Sequence, residues 1–325
     1  MKKLITIIAI AAAGVLQAAP PVENLGDLKN LEGLVKTVVE TRTDCTVSLV
    51  APELGASGSG VIVSADGLIL TAAHVVQGSR EMTVIFPDGS QARAKVLGAN
   101  YNRDAAMVKL VNNGPWPYAE VGDSDSLNVG DFVVAMGHPK GYDPTRRPPV
   151  RFGRIMTKGS LGFITTDCTL IGGDSGGPLF DLQGRVVGIH SHIAPDRQVN
   201  NHAGLTGFKK SWDKMVAGQS WGRLGTNGRD PDRPVLGMLL EKAKDGMRVT
   251  EAPPGTPAYE AGVRQGDLVV EIANLEVEEP DQLADIFADY QAGEKVPVII
   301  FRDEQEETKT VTLGRLAEVY QTYRR

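Results

Sequence analysis

Short β-branched runs separated by glycine-rich turns fill residues 46 to about 208, and they constrain the fold more than any other feature. Stretches such as "GSGVIVS", "LILTAAHVV", "MTVIF" and "DFVVAMG" follow one another at close spacing. "SADG" and "PDGS" provide hairpin turns between such runs. Because these runs do not alternate with long helices, they indicate an all-β barrel or sandwich.

The first residues have the order of a secretory signal peptide, which we predict over residues 1–19. Lys2 and Lys3 precede an apolar run over residues 4–16, and small residues follow it. The run is too short to span a bilayer, although an uncleaved anchor is the alternative. We therefore expect a periplasmic or secreted protein without stable membrane insertion.

Charge and cysteine content exclude several classes of function. The chain has 34 Lys and Arg residues against 40 Asp and Glu residues and shows no basic cluster, so nucleic-acid binding is not expected. Its two cysteines, Cys45 and Cys168, make neither a disulfide framework nor a zinc site. They could form one disulfide in an exported chain or stay as thiols. No cofactor and no metal are predicted.

The chain divides into segments by composition. Leucines and valines at helical spacing predict a short helix in an N-terminal segment, residues 20–43. The β-rich part forms a first domain, residues 44–217, that ends in a helix. A stretch rich in glycine, proline and charge predicts a linker over residues 218–234. A second domain, residues 235–317, mixes strands with helical stretches near residues 257–262 and 281–290.

Three polar residues of the first domain suggest nucleophilic catalysis. A serine hydroxyl needs a nearby base, and the base needs an orienting carboxylate. His74 lies at a strand end in "LTAAHVV", and Asp104 directly precedes the apolar run "AAMVKL". Ser175 lies in "GGDSGGPL", where glycines permit a sharp bend that aims backbone amides at an oxyanion.

The motifs "TAAHVV", "NRDAAMVKL" and "GGDSGGPL" resemble the His, Asp and Ser motifs of trypsin-like serine proteases, and the first two are most similar to the HtrA/Deg family. The resemblance covers about residues 46–215. It implies a mainly β fold, with a chymotrypsin-like double β-barrel protease domain followed by a small α+β PDZ domain. It also implies that His74 is the general base, that Asp104 orients it and that Ser175 is the nucleophile.

The resemblance further implies an oxyanion hole made by the amides of Gly173 and Ser175, with Asp174 between them. HtrA proteins usually carry asparagine at the position of Asp174. A basic side chain could order this aspartate, the loop could be switchable, or the difference could simply be tolerated. "GDSGG" also matches the G-x-S-x-G elbow of α/β-hydrolases. That fold would need Asp196 and His202 as partners, and they leave almost no chain for the intervening sheet.

The family pattern also indicates substrate contacts. Leu170, five residues before the nucleophile, would form the bottom of the S1 pocket. We therefore expect cleavage after small or medium aliphatic residues. Ile189, His190 and Ser191 are expected on the strand that runs beside the substrate. Either His190 or His192 could touch the substrate.

The second domain resembles PDZ domains of the bacterial protease-linked type through "RPVLGMLLE", "GTPAYEAGVRQGDLVVEIANLEV" and "DQLADIFADYQAGEKVPVIIFRD". The resemblance implies that a carboxylate-binding loop takes the end of a peptide chain and that a neighbouring groove accepts the peptide by β-strand addition. Arg233 could attract the carboxylate or belong to the linker. The residues expected to bind peptide are Val235, Leu236, Gly237, Met238 and Ile286. Ile286 has Leu283, Phe287 and Tyr290 near its helix face, and these either line the groove or pack in the core.

Together these features predict an exported, ATP-independent serine endopeptidase that degrades unfolded or misfolded proteins, as in protein quality control and stress response. The alternative is a chaperone or peptide-binding protein with weak or switched-off proteolysis. The family resemblance also implies a homotrimer. Family trimers often use aromatic residues of the N-terminal segment, and residues 20–43 have none.

Overall fold

The structure is a computed structural model that describes residues 22–193, 200–224, 230–280 and 282–323. The predicted signal peptide lies outside the described residues. Within the described ranges, no helix is long and apolar enough to cross a membrane. The strands are β1 (Thr46–Ala51), β2 (Ala56–Ile62), β3 (Leu68–Thr71), β4 (Glu81–Ile85), β5 (Gln91–Asn100), β6 (Ala105–Leu110), β7 (Phe132–Met136), β8 (Val150–Lys158), β9 (Phe163–Thr166), β10 (Pro178–Phe180), β11 (Val186–Ile193), β12 (Asn200–Gly204), β13 (Ser220–Trp221), β14 (Pro234–Val235), β15 (Leu239–Ala243), β16 (Gly246–Glu251), β17 (Leu268–Ile272), β18 (Leu275–Glu276), β19 (Lys295–Arg302), β20 (Gln305–Thr312) and β21 (Gly314–Arg315). The helices are α1 (Leu25–Arg42), α2 (Ala73–Val76), α3 (Leu205–Val216), α4 (Pro257–Glu260), α5 (Gln282–Phe287) and α6 (Leu316–Thr322).

The first six strands close into a barrel. They pair in the order β5, β4, β1, β2, β3 and β6, and β6 pairs back with β5. Strand β1 is buried along most of its length, as expected for a central strand of a closed structure. The short strand β13 adds to β5 in parallel, so part of the stretch predicted as a linker packs on this barrel.

The next six strands close into a second barrel, with β10, β11, β12, β9, β8 and β7 pairing in turn. The predicted mainly β fold with a chymotrypsin-like double barrel is confirmed. Helix α3 follows the second barrel and buries Phe208 and Met215 in the main hydrophobic core. The helix predicted before the first barrel is confirmed as α1, whose amino end is capped by the Asn24 side chain.

Six of the remaining strands form a separate antiparallel sheet in the order β15, β16, β17, β19 and β20, with β18 beside β17, and β14 pairs with β21 in a two-stranded sheet. Helices α4 and α5 flank this sheet, and its own core includes Met247, Val269 and Ile300. Ala273 and Asn274 link β17 to β18 with φ of 55° and 64°. Positive φ at both positions is typical of a type I′ hairpin turn.

The two cysteines are free and buried in different hydrophobic clusters. Cys45 lies in the main core and Cys168 lies in a smaller cluster inside the second barrel. Burial raises the pKa of Cys45 to about 12 and that of Cys168 to about 11. Both side chains therefore remain as protonated thiols, and the open question of a disulfide between them is answered in the negative.

Candidate active site

The three catalytic motifs meet at the cleft between the barrels. His74 lies in α2, the short helix after β3, and Asp104 directly precedes β6. Both therefore come from the first barrel, whereas Ser175 precedes β10 of the second. Asp104 has a φ of 51°, in the left-handed region that aspartate adopts more readily than most residues.

The Asp104 carboxylate organises the cleft. Its Oδ1 accepts the backbone N–H of His74 at 2.9 Å, and its Oδ2 lies 2.8 Å from His74 Nδ1. The Ser191 hydroxyl also donates to Oδ2, at 2.5 Å. Because a carboxylate can only accept, His74 carries its proton on Nδ1, which leaves Nε2 with the lone pair that a general base needs.

The Ser175 hydroxyl donates to the backbone carbonyl of Ser191 at 3.3 Å. Within the described ranges, no hydrogen bond joins it to the His74 ring. Hydrogen bonds between catalytic groups are often long or misaligned when no substrate is present. The structure therefore brings the nucleophile and the base to the same cleft without the bond that would couple them.

The nucleophile loop, residues 171–177, turns two backbone amides to one side. Lys140 N–H donates to the Gly172 carbonyl at 2.7 Å, and Gly177 N–H donates to the Asp174 carbonyl at 2.8 Å. Because the N–H and C=O of a trans peptide point in opposite directions, the N–H groups of Gly173 and Ser175 face the other way. Neither amide donates a hydrogen bond to any described residue, so both are free for an oxyanion.

Glycine is required at two positions of the nucleophile loop. Gly173 has a φ of 101°, and a Cβ there would lie 2.4 Å from the Lys140 nitrogen. Gly176 has a φ of 87°, and a Cβ there would lie 2.1 Å from Thr71 Oγ1. The bend that exposes the two amides is therefore open only to a residue without a side chain.

Asp174 is fully buried and forms an ion pair with Arg151 of β8. Arg151 Nη1 donates to Oδ1 at 3.1 Å and Nη2 donates to Oδ2 at 2.7 Å. The backbone N–H of Ile171 also donates to Oδ2, at 2.9 Å. Arg151 is therefore a basic side chain that orders Asp174, which is one of the three possibilities raised by its sequence. Arg151 was not predicted from the sequence because it lies 23 residues from Asp174 and no motif distinguishes it from the nearby arginines Arg146, Arg147 and Arg154.

Of the residues expected at the substrate pocket, Ile189 and His190 of β11 have no exposed surface, and Leu170 is 4% exposed. Ser191 lines the cavity that His74 also lines, and its hydroxyl donates to Asp104, a role that the motifs did not indicate. His192 is partly exposed and lines the same cavity as His74. Of the two histidines considered for substrate contact, His192 is the one at the cleft.

His190 belongs to a buried chain of hydrogen bonds. Its Nε2 lies 3.0 Å from the Met136 carbonyl, which can only accept, so Nε2 carries the proton. Its Nδ1 must then accept from Nδ1 of His202, 2.9 Å away. Nε2 of His202 accepts from the Thr166 hydroxyl at 2.8 Å. Every ring nitrogen has a partner while both imidazoles are neutral.

A cavity of about 1260 Å³ runs from the catalytic cleft to the second domain. His74 and His192 line it at one end, and Leu236, Gly237 and Met238 line it at the other. Val235 and Arg233 also line it. Ile286 and Phe287 are buried in the core of the second domain, whereas Leu283 and Tyr290 are partly buried against it. The Nε atom of Arg233 is buried without a hydrogen-bond partner among the described residues.

Another buried ion pair, between Arg103 and Asp289, joins the two domains next to Asp104. Arg103, the neighbour of Asp104, is 4% exposed and makes a bidentate contact with Asp289, with both N···O distances at 2.7 Å. It also donates to the carbonyl of Leu161 in the first domain and that of Asp285 in the second. Trp221 Nε1 donates to the Ala288 carbonyl at 3.0 Å, so the end of α5 is anchored from several sides.

Comparison with known proteins defines the class of both domains. Residues 58–189 match the family described as the trypsin-like peptidase domain, and residues 234–313 match the PDZ domain. The protein is therefore a trypsin-like peptidase-fold chain followed by a PDZ domain. The resemblance to the HtrA/Deg serine proteases that the motifs indicated is confirmed by relatives and by solved structures.

Two relatives are both named as probable periplasmic DegP-like serine endoproteases. The protein of Rickettsia prowazekii (strain Madrid E) is 30% identical over 77% of this chain and 51% of its own length. That of Marinomonas sp. (strain MWYL1) is 32% identical over 79% of this chain and 56% of its own length. The chain thus spans just over half the length of these curated relatives.

Two solved structures share the fold. The serine endoprotease from Yersinia pestis has a TM-score of 0.63 and 24% identity, and the match covers 87% of this chain and 98% of the other. The HtrA-type protease AlgW, solved with a tripeptide, has a TM-score of 0.66 and 22% identity, with 86% of this chain and 96% of the other covered. At these identities the likeness extends to the fold and not to substrates.

Proposed function

We propose that this protein is an exported, ATP-independent serine endopeptidase that hydrolyses unfolded or misfolded proteins. The observation that carries the proposal is the Asp104 carboxylate, which binds both the backbone N–H and Nδ1 of His74 in the cleft where Ser175 lies. The periplasmic location named for the relatives and the predicted signal peptide support a periplasmic or secreted site of action.

In the proposed reaction, the Ser175 hydroxyl rotates from the Ser191 carbonyl onto His74 Nε2, which takes its proton as the oxygen attacks the substrate carbonyl. Asp104 stabilises the imidazolium that forms. The amides of Gly173 and Ser175 stabilise the oxyanion. His74 then protonates the leaving amine, and water hydrolyses the acyl-enzyme by the same steps. The two unpartnered amides favour this function over the alternative of a chaperone whose proteolysis is switched off.

The proposal is tested with denatured casein and the variant Ser175→Ala. We expect wild type to degrade casein and to react with a fluorophosphonate probe, and the variant to lose roughly 10⁶-fold in kcat. Ser160→Ala, outside the cleft, is the matched control and should retain activity. If wild type leaves casein intact while wild type and Ser175→Ala both suppress aggregation, the chaperone alternative replaces the peptidase.

The same digest reports substrate preference. The apolar side chain of Leu170 favours a substrate pocket for small and medium aliphatic side chains. Cut sites mapped by mass spectrometry should therefore lie mostly after Val, Ala, Ile or Leu. A majority of cuts after Lys or Arg would contradict the role proposed for Leu170.

We also propose that the PDZ domain captures chain ends. The support is the cavity that joins the Leu236–Gly237–Met238 loop to the catalytic cleft, with Arg233 among the residues that line it. A carboxylate is the natural partner of a guanidinium group. One polypeptide could therefore have its end held by the PDZ domain while an earlier segment reaches His74 and Ser175.

A further inference from the structure

The ion pair between Arg151 and Asp174 lies outside the catalytic triad and yet within the nucleophile loop. Asp174 is the residue between the two amides of the oxyanion hole, and it has no exposed surface. Arg151 approaches from β8 with a planar, two-point contact at 3.1 and 2.7 Å. Such bidentate contacts fix direction as well as distance, which a single-point contact cannot do.

We propose that Arg151 is a positioning residue for the oxyanion hole: by holding the Asp174 carboxylate, it keeps the amides of Gly173 and Ser175 aimed at the substrate carbonyl. This inference rests on the proposed peptidase function. Arg151 does not touch the reacting atoms, and it acts only through the conformation of the nucleophile loop.

The loop needs such an anchor because its backbone can turn on both sides of Asp174. Gly173 and Gly176 both have positive φ, and glycine also reaches other conformations at little cost. A peptide flip at residues 172–173 would turn the Gly173 N–H away from the cleft and replace it by a carbonyl. The contact with Arg151 ties the Asp174 side chain to β8 of the second barrel, and the Ile171 N–H bond closes the loop on itself.

The charge balance makes Arg151 necessary in this chain. Burial raises the pKa of Asp174, and the Arg151 charge and the Ile171 N–H act in the opposite direction. Without Arg151 the buried carboxylate would keep a single donor, the backbone N–H of Ile171, so it would take up a proton or turn toward water. Either change alters the loop that presents the two amides.

The experiment compares four forms of the full chain: wild type, Arg151→Met, Arg151→Met with Asp174→Asn, and the control Arg154→Met. Arg154 lies on the same strand, and its guanidinium stacks on the exposed side over the Phe132 ring. Each form is measured for kcat and KM on a fluorogenic peptide and for inhibition by a peptide boronic acid. The boronate forms a tetrahedral adduct on Ser175 that needs the oxyanion hole.

We expect Arg151→Met to lower kcat by roughly 10²-fold, as loss of one oxyanion donor does, while KM changes little. Boronate inhibition of Arg151→Met should weaken in parallel. The double variant should have a kcat at least about tenfold higher than that of Arg151→Met, because asparagine needs no counter-ion. A kcat for Arg151→Met within about threefold of the Arg154→Met value would overturn the inference, and so would a loss confined to KM.

If Arg151→Met does not fold, Arg151→Lys takes its place. Lysine keeps the charge and loses the two-point contact, so an intermediate kcat is expected. A kcat equal to that of wild type would overturn the positioning role. If wild type and Arg154→Met also fail to hydrolyse peptide or bind boronate, the proposed peptidase function itself is wrong, and the inference falls with it.

Discussion

At the scale of single residues, the buried pair His190 and His202 links the catalytic barrel to pH. Burial lowers the pKa of His190 well below its ordinary value and that of His202 to about 3. The neighbouring imidazoles add to both shifts, His202 acting on His190 and His192 acting on His202. Both rings are therefore neutral in the folded protein, where their hydrogen bonds require it. The unfolded chain binds protons at these histidines below about pH 6.5.

This difference predicts a loss of stability in acid. Because the unfolded state binds more protons, the free energy of unfolding should fall as the pH drops from about 6.5 toward 3. Each of the two histidines lowers the free energy of unfolding by about 2 kcal/mol as the pH falls from 7 to 5. In His202→Gln the amide can replace both hydrogen bonds without titrating, so the fall measured by urea unfolding should be smaller by about that amount. An unchanged slope in His202→Gln would contradict the assignment.

At the scale of elements, α5 is joined to the first domain by the ion pair between Arg103 and Asp289. Both side chains are almost fully buried, and Asn100 and Ser211 also donate to Asp289. Breaking a buried pair by removing one partner leaves an uncompensated charge and costs about 3 kcal/mol or more. The interface between the domains is therefore concentrated in a few polar contacts next to Asp104.

We expect Asp289→Ala to loosen this interface. The opening equilibrium of α5 and of residues 160–163 should rise by roughly 10²-fold, since 1.4 kcal/mol corresponds to a factor of ten. Hydrogen exchange followed by mass spectrometry measures this on the full chain. Asp303→Asn, at an exposed turn of the PDZ domain, should exchange like wild type. Equal protection of α5 in both variants would show that Arg103 and Asp289 do not hold the domains together.

The elements also show what the sequence could and could not predict. Local sequence patterns were sufficient to predict α1, the strands of both barrels and the motifs around His74, Asp104 and Ser175. Periodicity and turn residues are local properties of the chain. Arg151 and Asp289 were missed, and Ser191 was expected beside the substrate without its bond to Asp104. The partners of these three residues lie 23, 186 and 87 residues away in sequence. Such contacts depend on how barrels and domains pack, and no local pattern carries that information.

At the scale of the whole molecule, the cavity shared by the cleft and the PDZ loop predicts how a chain end is recognised. Arg233 lines the cavity beside the Leu236–Gly237–Met238 loop, so a ligand carboxylate that reached its guanidinium group would gain a charge-assisted hydrogen bond there. A homotrimer stays a prediction of the family resemblance. Recognition of a chain end by one PDZ domain requires only the single chain.

We therefore expect Ser175→Ala protein to bind a fluorescent peptide with a free carboxyl end and an apolar last residue, and to bind its amidated form at least about tenfold more weakly. In Arg233→Met the free-acid peptide should bind as weakly as the amide, because the carboxylate loses its charged partner. Arg315→Met removes an exposed arginine that pairs loosely with Asp232, and it should bind like the parent. Fluorescence anisotropy gives each Kd. Equal affinity for the acid and the amide would exclude Arg233 as a carboxylate ligand and would direct recognition to the apolar wall of the cavity.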